Sequence, residues 1–579
     1  MAPFRTALAS GVPRSVWPCV ALLVLCAWLR IPRLEGPLDL RFDAGVYYVL
    51  ATSLADGKGY RILSEPGEIH GIQYPPLLPA IGAAHQLALG TSDPDQVGHA
   101  LRWTYSLLFT AYVLAVFWMA LAYLAQGGAF LAALLVAFHV RTHFHAEYFV
   151  PELPFALVTT LFIGVVGRNE LRAPSRRVLG GRRGVLAGFL AVAGFYLRTA
   201  GLALLATWAI ESLLRRDFRQ AAMRGMLALV AVAPWFAYIS TVRHGPEYAR
   251  PAYAYQRAPY QMYNVSYGEN FWMAEILRPE AGRASAGGLL SRASLNLGKA
   301  AVSLGESVNI GRNWWRGEID KVNRLLGGGR IPRGAAEAAL VSLTLLIVGG
   351  LVLLAARHRW LLVCDVVLSV ALFVLASAQD SMLRYLASIA SLSAVALLSL
   401  LQWIRQRVAR GGGGTGRWIV RLAVATIPLV LVVQELHTLR NSFRITYHPA
   451  HWVDGRARNR SYQLLAYDRP WRLHDEALAW LRVHASPSSI VATSTPHWGY
   501  LKTGLKSVQP PWEADPARAQ QLLQELPADY LVIDNLVAYE LGATARRYSI
   551  PVVENYPARW DLVYAGADSG SRIYRRVER

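Results

Sequence analysis

Charged residues and cysteine are both scarce in this sequence. Charged side chains make up 17% of the 579 residues and hydrophobic ones 54%, a balance that excludes an ordinary soluble protein. The three cysteines, Cys19, Cys26 and Cys364, all lie in apolar runs, so no disulfide framework is expected. Long uncharged runs near the length of a bilayer instead predict an α-helical polytopic membrane protein.

The charge that the chain does carry is strongly unbalanced. A formal net charge of +21 could indicate a nucleic-acid partner, but the arginines cluster in short connectors between apolar runs, such as RRDFRQAAMR at 215–224. Arginine-rich connectors are typical of the cytoplasmic loops of membrane proteins. The pattern therefore predicts contact with a lipid bilayer and no nucleic-acid partner.

About eleven apolar runs are predicted to span the bilayer. Residues 184–214 could form one long helix or a hairpin of two short helices; the charge rule favours the hairpin, with Arg198 at its outer turn. The first run lacks a small-residue cleavage site and is predicted to be an uncleaved span. The predicted spans are 15–30, 101–125, 127–141, 151–167, 184–197, 199–214, 222–240, 337–356, 360–378, 384–404 and 418–436.

Three longer segments are expected outside the membrane if the amino terminus is cytoplasmic. They are residues 31–100, residues 241–336 and the tail. The tail alternates the strand-like runs SIVATS, YLVID, WDLVY and SRIYR with helical patterns such as HDEALAWLRVHA, which predicts an α/β fold. We therefore expect a transmembrane helical domain over 1–436, followed by an extracytoplasmic α/β domain over 437–579.

Ionisable residues from remote parts of the sequence are expected to meet on the outer side of this topology. Asp43 follows the first span, and Glu147 and Glu152 lie between the third and fourth spans. Arg198 lies at an outer turn, and Arg384 begins a span from the same face. Charged groups at membrane depth are costly and often functional. The topology thus predicts one outer site built from carboxylates and guanidinium groups.

A site of this composition suits the transfer of a group from a lipid-linked phosphate. A phosphate leaving group departs without an acid, and arginine can bind two of its oxygens while negative charge develops. An incoming hydroxyl is a poor nucleophile and needs a base, which an aspartate supplies. A polyprenyl tail would remain in the bilayer while its phosphate lies at the interface, where the topology places these residues.

Five motifs follow one another between the predicted spans: DAGVYYVLATSLADGKGY, QYPPLLPAI, PELPFAL, YLRTAGL and RYLAS. In this order they resemble the GT-C glycosyltransferases, in particular the polyprenyl-phosphate-sugar transferases that include protein O-mannosyltransferases and lipid A aminoarabinose transferases (family 39 and its bacterial relatives). The resemblance covers roughly residues 15–440. It implies an enzyme that moves a sugar from a polyprenyl-phosphate donor to an extracytoplasmic acceptor, with inversion at the anomeric carbon.

The resemblance also implies roles for single residues. Asp43 matches the acidic residue of the first outer loop, which is the expected catalytic base. Glu152 matches the second acid, and Glu147 is a rival for the same role. Tyr74 departs from the aminoarabinose enzymes, which have a lysine before the proline. The residues expected to bind the donor phosphate are Arg198, Arg384, Tyr385, Lys58 and Tyr74.

No metal ligands are assigned from the sequence. His139, His143 and His145 stand close together and offer donor atoms, so a divalent metal remains an alternative. Asp93 and Asp95 imitate the DxD motif of nucleotide-sugar enzymes, but they precede an apolar helix, where a cap-and-turn role is favoured.

The assigned residues and the whole chain also have simpler interpretations. Asp43 could cap the helix that follows it, and Glu152 could be a first-turn acid favoured by the helix dipole. Arg198 could only reach towards the interface, and Lys58 could be a solvated loop charge. The chain itself could be a transporter or flippase of lipid-linked glycans, or a non-catalytic membrane scaffold. Carboxylates and arginines gathered at one outer face favour the enzyme.

The expected location is a bacterial inner membrane, with the active site and the tail on the outer side. The sequence does not identify the sugar, the lipid carrier or the acceptor, which could be a glycan, a lipid or a protein hydroxyl.

Overall fold

The structure, a computed structural model, describes residues 16–172, 181–309, 311–332, 334–376, 383–410, 415–526, 528–536 and 539–577. Helices fill most of the chain and the strands lie in its last quarter. The helices, in chain order from α1 to α23, are Val16–Arg30, Asp43–Ala55, Leu77–Leu89, Pro94–Ala120, Gln126–Phe138, Val140–His145, Glu152–Arg172, Arg182–Leu197, Leu202–Leu214, Phe218–Arg243, Pro246–Ala249, Tyr267–Phe271, Ala286–Glu306, Arg312–Leu325, Ala335–Ala356, Trp360–Leu375, Leu383–Leu386, Ala390–Arg410, Thr415–Ile445, Arg469–His484, Pro496–Thr503, Pro516–Glu525 and Glu540–Asn555. The strands β1 to β7 are Tyr447–Val453, Asn459–Leu465, Ile490–Ala492, Lys506–Val508, Ala528–Ile533, Trp560–Ala565 and Arg572–Arg576.

Each of the predicted spans overlaps a helix, and the predicted span 384–404 covers α17, a 3₁₀ turn at Ala387–Ile389 and most of α18. Within the described residues, four segments are long and apolar enough to cross a membrane: Val16–Arg33, Pro94–Ala120, Phe218–Arg243 and Ala335–Ala356. Several other apolar helices are shorter, such as Trp360–Leu375. Large apolar side chains on the long helices are exposed, as a lipid-facing surface requires. The chain is therefore an integral membrane protein, although the predicted number of eleven crossings stays a prediction.

Residues 184–214 form a hairpin, as the charge pattern predicted. Helix α8 ends at Leu197, a 3₁₀ turn spans Thr199–Gly201, and α9 begins at Leu202. Gly201 makes this turn feasible, because a Cβ atom there would lie 2.3 Å from the backbone carbon of Gly194. The close approach holds Arg198 at the junction of the two helices.

The first outer segment is more ordered than a loop, since residues 31–100 contain α2, α3 and the first turns of α4. Helix α2 is buried on nearly all sides, from Ala44 to Ala51. It packs against α3, where Gly82 approaches Ala51 so closely that a Cβ would lie 2.8 Å from the Ala51 methyl group. A helix buried all round is apolar all round, so the segment shows no amphipathic period.

The carboxy-terminal region, residues 447–577, has the predicted α/β character. Strands β1 and β2 form an antiparallel pair, and the other five strands form a mixed sheet in the order β4-β3-β5-β7-β6. Strands β3, β4 and β5 run parallel to one another, and β7 runs antiparallel to both of its neighbours, β5 and β6. Helix α19 continues to Ile445, past the predicted boundary at 436/437, and only one residue separates it from β1.

A buried arginine, Arg41, joins the carboxy-terminal region to the first outer segment. Arg41 is fully buried and pairs with Asp39 at 2.7 Å. The same guanidinium donates to the carbonyl oxygens of Leu465 and Ala466, at 2.7 and 3.1 Å, and lies over the Trp471 ring at 4.6 Å. Because only Phe42 separates Arg41 from α2, these contacts fix the start of that helix.

The tyrosine-rich segment, residues 251–267, packs over the first outer segment. Glu65, which is 2% exposed, accepts hydrogen bonds from the Tyr253 hydroxyl at 2.8 Å and from the Gln256 amide at 3.1 Å. Burial raises the pKa of Glu65, and these two donors oppose the rise. The tyrosine-rich segment is therefore anchored beside α2.

Candidate active site

Asp43 begins α2 and points away from the helix backbone towards other segments. The residue before it, Phe42, occupies the N-cap position with φ of 58°, so the capping interpretation of Asp43 is wrong. The Asp43 Oδ1 atom accepts a hydrogen bond from the Tyr263 hydroxyl at 3.0 Å. The Oδ2 atom accepts one from Nη2 of Arg384 at 2.6 Å. The Asp43 side chain keeps 20% exposure, which leaves the carboxylate within reach of a ligand.

Glu152 begins α7 and supplies the second carboxylate. It is 1% exposed, and its Oε1 atom accepts a hydrogen bond from Nε of Arg384 at 2.6 Å. Nη1 of Arg198 lies 3.6 Å from the same oxygen. Among the described residues, Oε2 has no hydrogen-bond partner. The first turn of a helix favours an acid, so Glu152 interacts favourably with the helix dipole and also forms these ion pairs.

Arg384, in α17, joins the two carboxylates. Its Nη2 atom contacts Asp43 and its Nε atom contacts Glu152, and the side chain remains 41% exposed. The structure thus brings together Asp43, Glu152, Arg198 and Arg384, four residues that lie far apart in the sequence. An arginine can hold two oxyanions at once because its five N–H groups form a planar fork.

Tyr74 lies beside this cluster. Its ring is 4.6 Å from that of Tyr47 and 6.4 Å from that of Tyr263, measured between centroids. Burial raises the pKa of the Tyr74 phenol well above its usual range, and the negative charge of Asp43 raises it further. The phenol therefore stays protonated at neutral pH and can act as a hydrogen-bond donor.

Two predicted site residues lie elsewhere. Glu147 is fully buried, and its two oxygens pair with Arg30 and Arg102 at 2.8 and 2.7 Å. Burial alone would raise the pKa of Glu147, but these arginines lower it. Lys58 lies 3.6 Å from Glu68 and is 48% exposed, as its solvated-loop interpretation predicted. The predicted roles of both residues therefore receive no support from geometry.

Tyr385 belongs to α17, but its side chain lies outside the described residues.

Two residues that the sequence interpretation passed over belong to the site. Tyr263 contacts Asp43 directly, and the run of five tyrosines from 253 to 267 was an available signal. Arg141 lines a small cavity with Glu152 and His145. Within the described residues its guanidinium has no hydrogen bond or ion pair; it lies 5.6 Å from the Phe144 ring centroid.

The fold resembles that of solved GT-C glycosyltransferases, with a helical membrane region and a carboxy-terminal region that contains a mixed sheet, which confirms the expected resemblance at the level of the fold. No protein-family model matches the chain, and no curated protein matches it by sequence.

Solved structures of two proteins illustrate the likeness. One is the oligosaccharyltransferase AglB from Archaeoglobus fulgidus in complex with an inhibitory peptide and a dolichol-phosphate, at a TM-score of 0.54 and 12% identity, over 97% of this chain and 74% of that chain. The other is ArnT from Cupriavidus metallidurans bound to undecaprenyl phosphate, at a TM-score of 0.51 and 12% identity, over 97% and 98% of the two chains. At these identities the likeness concerns the fold alone.

A metal ion fits the described arrangement poorly. A further structure of the Archaeoglobus fulgidus oligosaccharyltransferase is a complex with zinc and sulfate, at a TM-score of 0.53 and 14% identity, over 96% and 73% of the two chains, so a divalent metal is compatible with the fold. In this chain the guanidinium of Arg384 already lies between Asp43 and Glu152. No group of three or more potential ligands is present among the described residues.

Proposed function

We propose that this protein is an integral-membrane glycosyltransferase that moves a sugar from a polyprenyl-phosphate donor to an extracytoplasmic acceptor hydroxyl. The observation that carries the proposal is the contact of Arg384 with both Asp43 and Glu152, at 2.6 Å each. It joins a candidate base to a candidate phosphate-binding group in one partly exposed site. Support also comes from the fold, because the similar structures hold a dolichol-phosphate and undecaprenyl phosphate.

In the proposed reaction Asp43 is the general base. The acceptor oxygen attacks the anomeric carbon while the bond from that carbon to the phosphate oxygen breaks. The hydroxyl proton passes to the Asp43 carboxylate, and polyprenyl phosphate leaves with the electron pair. A single displacement of this kind inverts the configuration at the anomeric carbon. Glu152 holds Arg384 and Arg198 in place from the opposite side.

The phosphate is bound by arginines in this scheme. Arg384 exchanges one carboxylate oxygen for a phosphate oxygen when the donor binds, and its exposed portion makes that exchange accessible. Arg198, which lies 3.6 Å from the same oxygen of Glu152 as Arg384 contacts, is the second phosphate-binding arginine. We add Arg141, whose charge interacts with those of Arg384 and Glu306. The protonated Tyr74 phenol supplies a neutral donor. Positive groups aimed at the leaving phosphate stabilise the charge that develops there.

The proposed orientation places this site on the outer side of a bacterial inner membrane. The arginine-rich connectors then lie in the cytoplasm, as the charge rule favours. The proposed domains are a transmembrane catalytic domain over 1–436 and an extracytoplasmic α/β domain over 437–579. The lipid bilayer, the donor lipid and an acceptor hydroxyl are the proposed partners.

The test is sugar transfer by the purified protein. The full chain in detergent is incubated with radiolabelled polyprenyl-phosphate sugars and an acceptor extract, and transferred label is counted. The Asp43→Asn variant is expected to lose at least about 100-fold in kcat, because general-base catalysis contributes about 10²–10⁴-fold. Asp56→Asn, a change to an exposed residue just beyond the other end of α2, is the matched control and should keep full activity.

Two results would contradict the proposal. Transfer by Asp43→Asn at the wild-type rate would remove Asp43 from the base role. Movement of labelled lipid across reconstituted vesicles without any transfer would favour the flippase alternative.

A further inference from the structure

Asp43 is held on two sides by groups from different parts of the chain. Arg384 contacts Oδ2, and the Tyr263 hydroxyl donates to Oδ1 at 3.0 Å. Tyr263 is 7% exposed and belongs to the tyrosine-rich segment that Glu65 anchors. A carboxylate that accepts hydrogen bonds on both oxygens is restricted in its rotation, so Tyr263 affects the direction in which the base points.

The carboxy-terminal region packs against Tyr263. The ring of His497, in α21, meets the Tyr263 ring edge-on, with centroids 4.7 Å apart and an interplanar angle of 78°. Nδ1 of His497 forms a hydrogen bond with the Ser64 hydroxyl at 2.8 Å, which fixes the imidazole. Helix α21 also lies against the first turn of α2, since a Cβ atom on Gly45 would be 3.0 Å from the Cβ of His497.

These contacts are made by neutral groups at neutral pH. Burial raises the pKa of the Tyr263 phenol well above its usual range, as do its neighbours Tyr539 and Asp43, so the phenol keeps the proton that it donates. Burial also lowers the pKa of His497 to about 3, so the imidazole is uncharged beside the tyrosine. The support of Tyr263 by His497 is therefore steric and not ionic.

We propose that Tyr263 is a positioning residue that orients the Asp43 carboxylate towards the acceptor, and that the carboxy-terminal region, through His497, holds Tyr263 in this position. The inference rests on the proposed function, in which Asp43 is the base. The carboxy-terminal region then contributes to catalysis by holding Tyr263, and this contribution requires no contact with the substrate.

The first test is the Tyr263→Phe variant of the full-length protein, assayed for sugar transfer. We expect kcat to fall about 10- to 100-fold with KM for the donor lipid changed less than about twofold, because a misplaced base weakens the chemical step and not binding.

The matched control is Tyr255→Phe. Tyr255 is buried in the same segment, but its hydroxyl has no hydrogen-bond partner among the described residues. Removing it should leave kcat and the donor KM unchanged. Equal losses in Tyr255→Phe and Tyr263→Phe would show a general packing effect and overturn the inference.

A double-mutant cycle tests the part played by the carboxy-terminal region. His497→Asn retains a polar atom near Ser64 but removes the ring that contacts Tyr263. It should lower kcat several-fold in the wild-type background and not lower it further in the Tyr263→Phe background, because both changes act through one hydroxyl. Independent, multiplicative losses would overturn the indirect role of His497.

A structural readout separates this inference from the proposed function. Cryo-electron microscopy of Tyr263→Phe should show the Asp43 carboxylate turned away from its wild-type position, with Tyr255→Phe unchanged. An unmoved carboxylate together with wild-type kinetics, in an assay where Asp43→Asn is inactive, overturns the inference and leaves the proposed function standing. Absence of transfer by the wild-type protein overturns the proposed function, and the carboxylate position then still decides whether Tyr263 orients Asp43.

Discussion

Arg384 makes two contacts that differ in their surroundings, and this difference matters for the proposed chemistry. Its Nε faces the buried Glu152, whereas its Nη2 faces the partly exposed Asp43. Leaving Glu152 without its charged neighbour would cost far more than releasing Asp43, because unpaired buried charges are strongly destabilising. Donor phosphate is therefore expected to displace the Asp43 contact first, which frees an oxygen of the base as the donor arrives.

Arg141 provides the residue-scale prediction for donor binding. Arg141→Gln should raise KM for the donor lipid about 10- to 100-fold, since a hydrogen bond to a charged group contributes about 1.5–3 kcal/mol. Steady-state transfer kinetics at varied donor concentration measure this change. Arg278→Gln, which removes an exposed arginine of the outer segment 241–336, is the control and should keep the wild-type KM. A donor KM within twofold of wild type in Arg141→Gln would exclude Arg141 from the phosphate site.

The sequence could predict that the four charged site residues lie close together, but it could not predict which residues contact them. Asp43, Arg198 and Arg384 could be placed together because each adjoins a membrane span whose sidedness follows from the connectors. The residue pattern alone could not separate Glu147 from Glu152, because the two acids are five positions apart in the sequence, and only the resemblance favoured Glu152. Buried ion pairs with arginines of distant helices decide between them, and tertiary packing alone determines those.

At the scale of elements, the α8–α9 hairpin determines where Arg198 lies. Gly201→Ala would bring a methyl group to 2.3 Å from the Gly194 backbone, so the helices must separate. We expect a loss of about 1–3 kcal/mol in the free energy of unfolding, together with weaker transfer activity as Arg198 moves from Glu152. Thermal unfolding in detergent and the transfer assay measure the two effects.

The control for this change is Gly225→Ala in α10. A methyl group there meets nothing within 4 Å, so the substitution should not destabilise the protein. Equal stability of Gly201→Ala and the wild type would contradict the tight hairpin.

Elements with a clear period or sufficient length could be predicted from the sequence. The hairpin and the strands corresponding to β3, β5, β6 and β7 followed from charge placement and apolar runs. Helix α2 shows no amphipathic period because it is buried on nearly all sides, and the sequence indicated it only through Asp43, a residue type preferred at a helix start. Strand β4 has three residues and is too short to show alternation. These elements exist because neighbouring segments bury them.

At the scale of the whole molecule, buried histidines make stability depend on pH. The pKa of His497 is lowered by burial from 6.5 to about 3, so the unfolded chain binds a proton that the folded chain does not between these values. The contribution of His497 to the free energy of unfolding is therefore fully present above about pH 6.5, and it is lost as the pH falls below this value. At pH 5 this residue alone should lower the free energy of unfolding by about 2 kcal/mol relative to neutral pH.

Melting temperatures in detergent at pH 7 and pH 5 test this dependence. The Tm of the wild type should fall between the two pH values, and His497→Asn should show a smaller fall. His244→Asn changes an exposed histidine and should keep the wild-type difference. An identical fall in His497→Asn and the wild type would show that His497 does not titrate on unfolding.

The burial of Arg41 between the membrane region and the carboxy-terminal region limits which chimaeric proteins can be made. Its guanidinium is satisfied by carbonyl groups of the carboxy-terminal region together with Asp39, so neither region alone completes its hydrogen bonds. A chimaera that grafts the carboxy-terminal region of a relative onto this membrane region must therefore import the matching residues 39–45 as well. Grafts that misplace the two carbonyl groups would leave part of a buried guanidinium without hydrogen-bond acceptors two residues from the base, and they are poor starting points for altering acceptor choice.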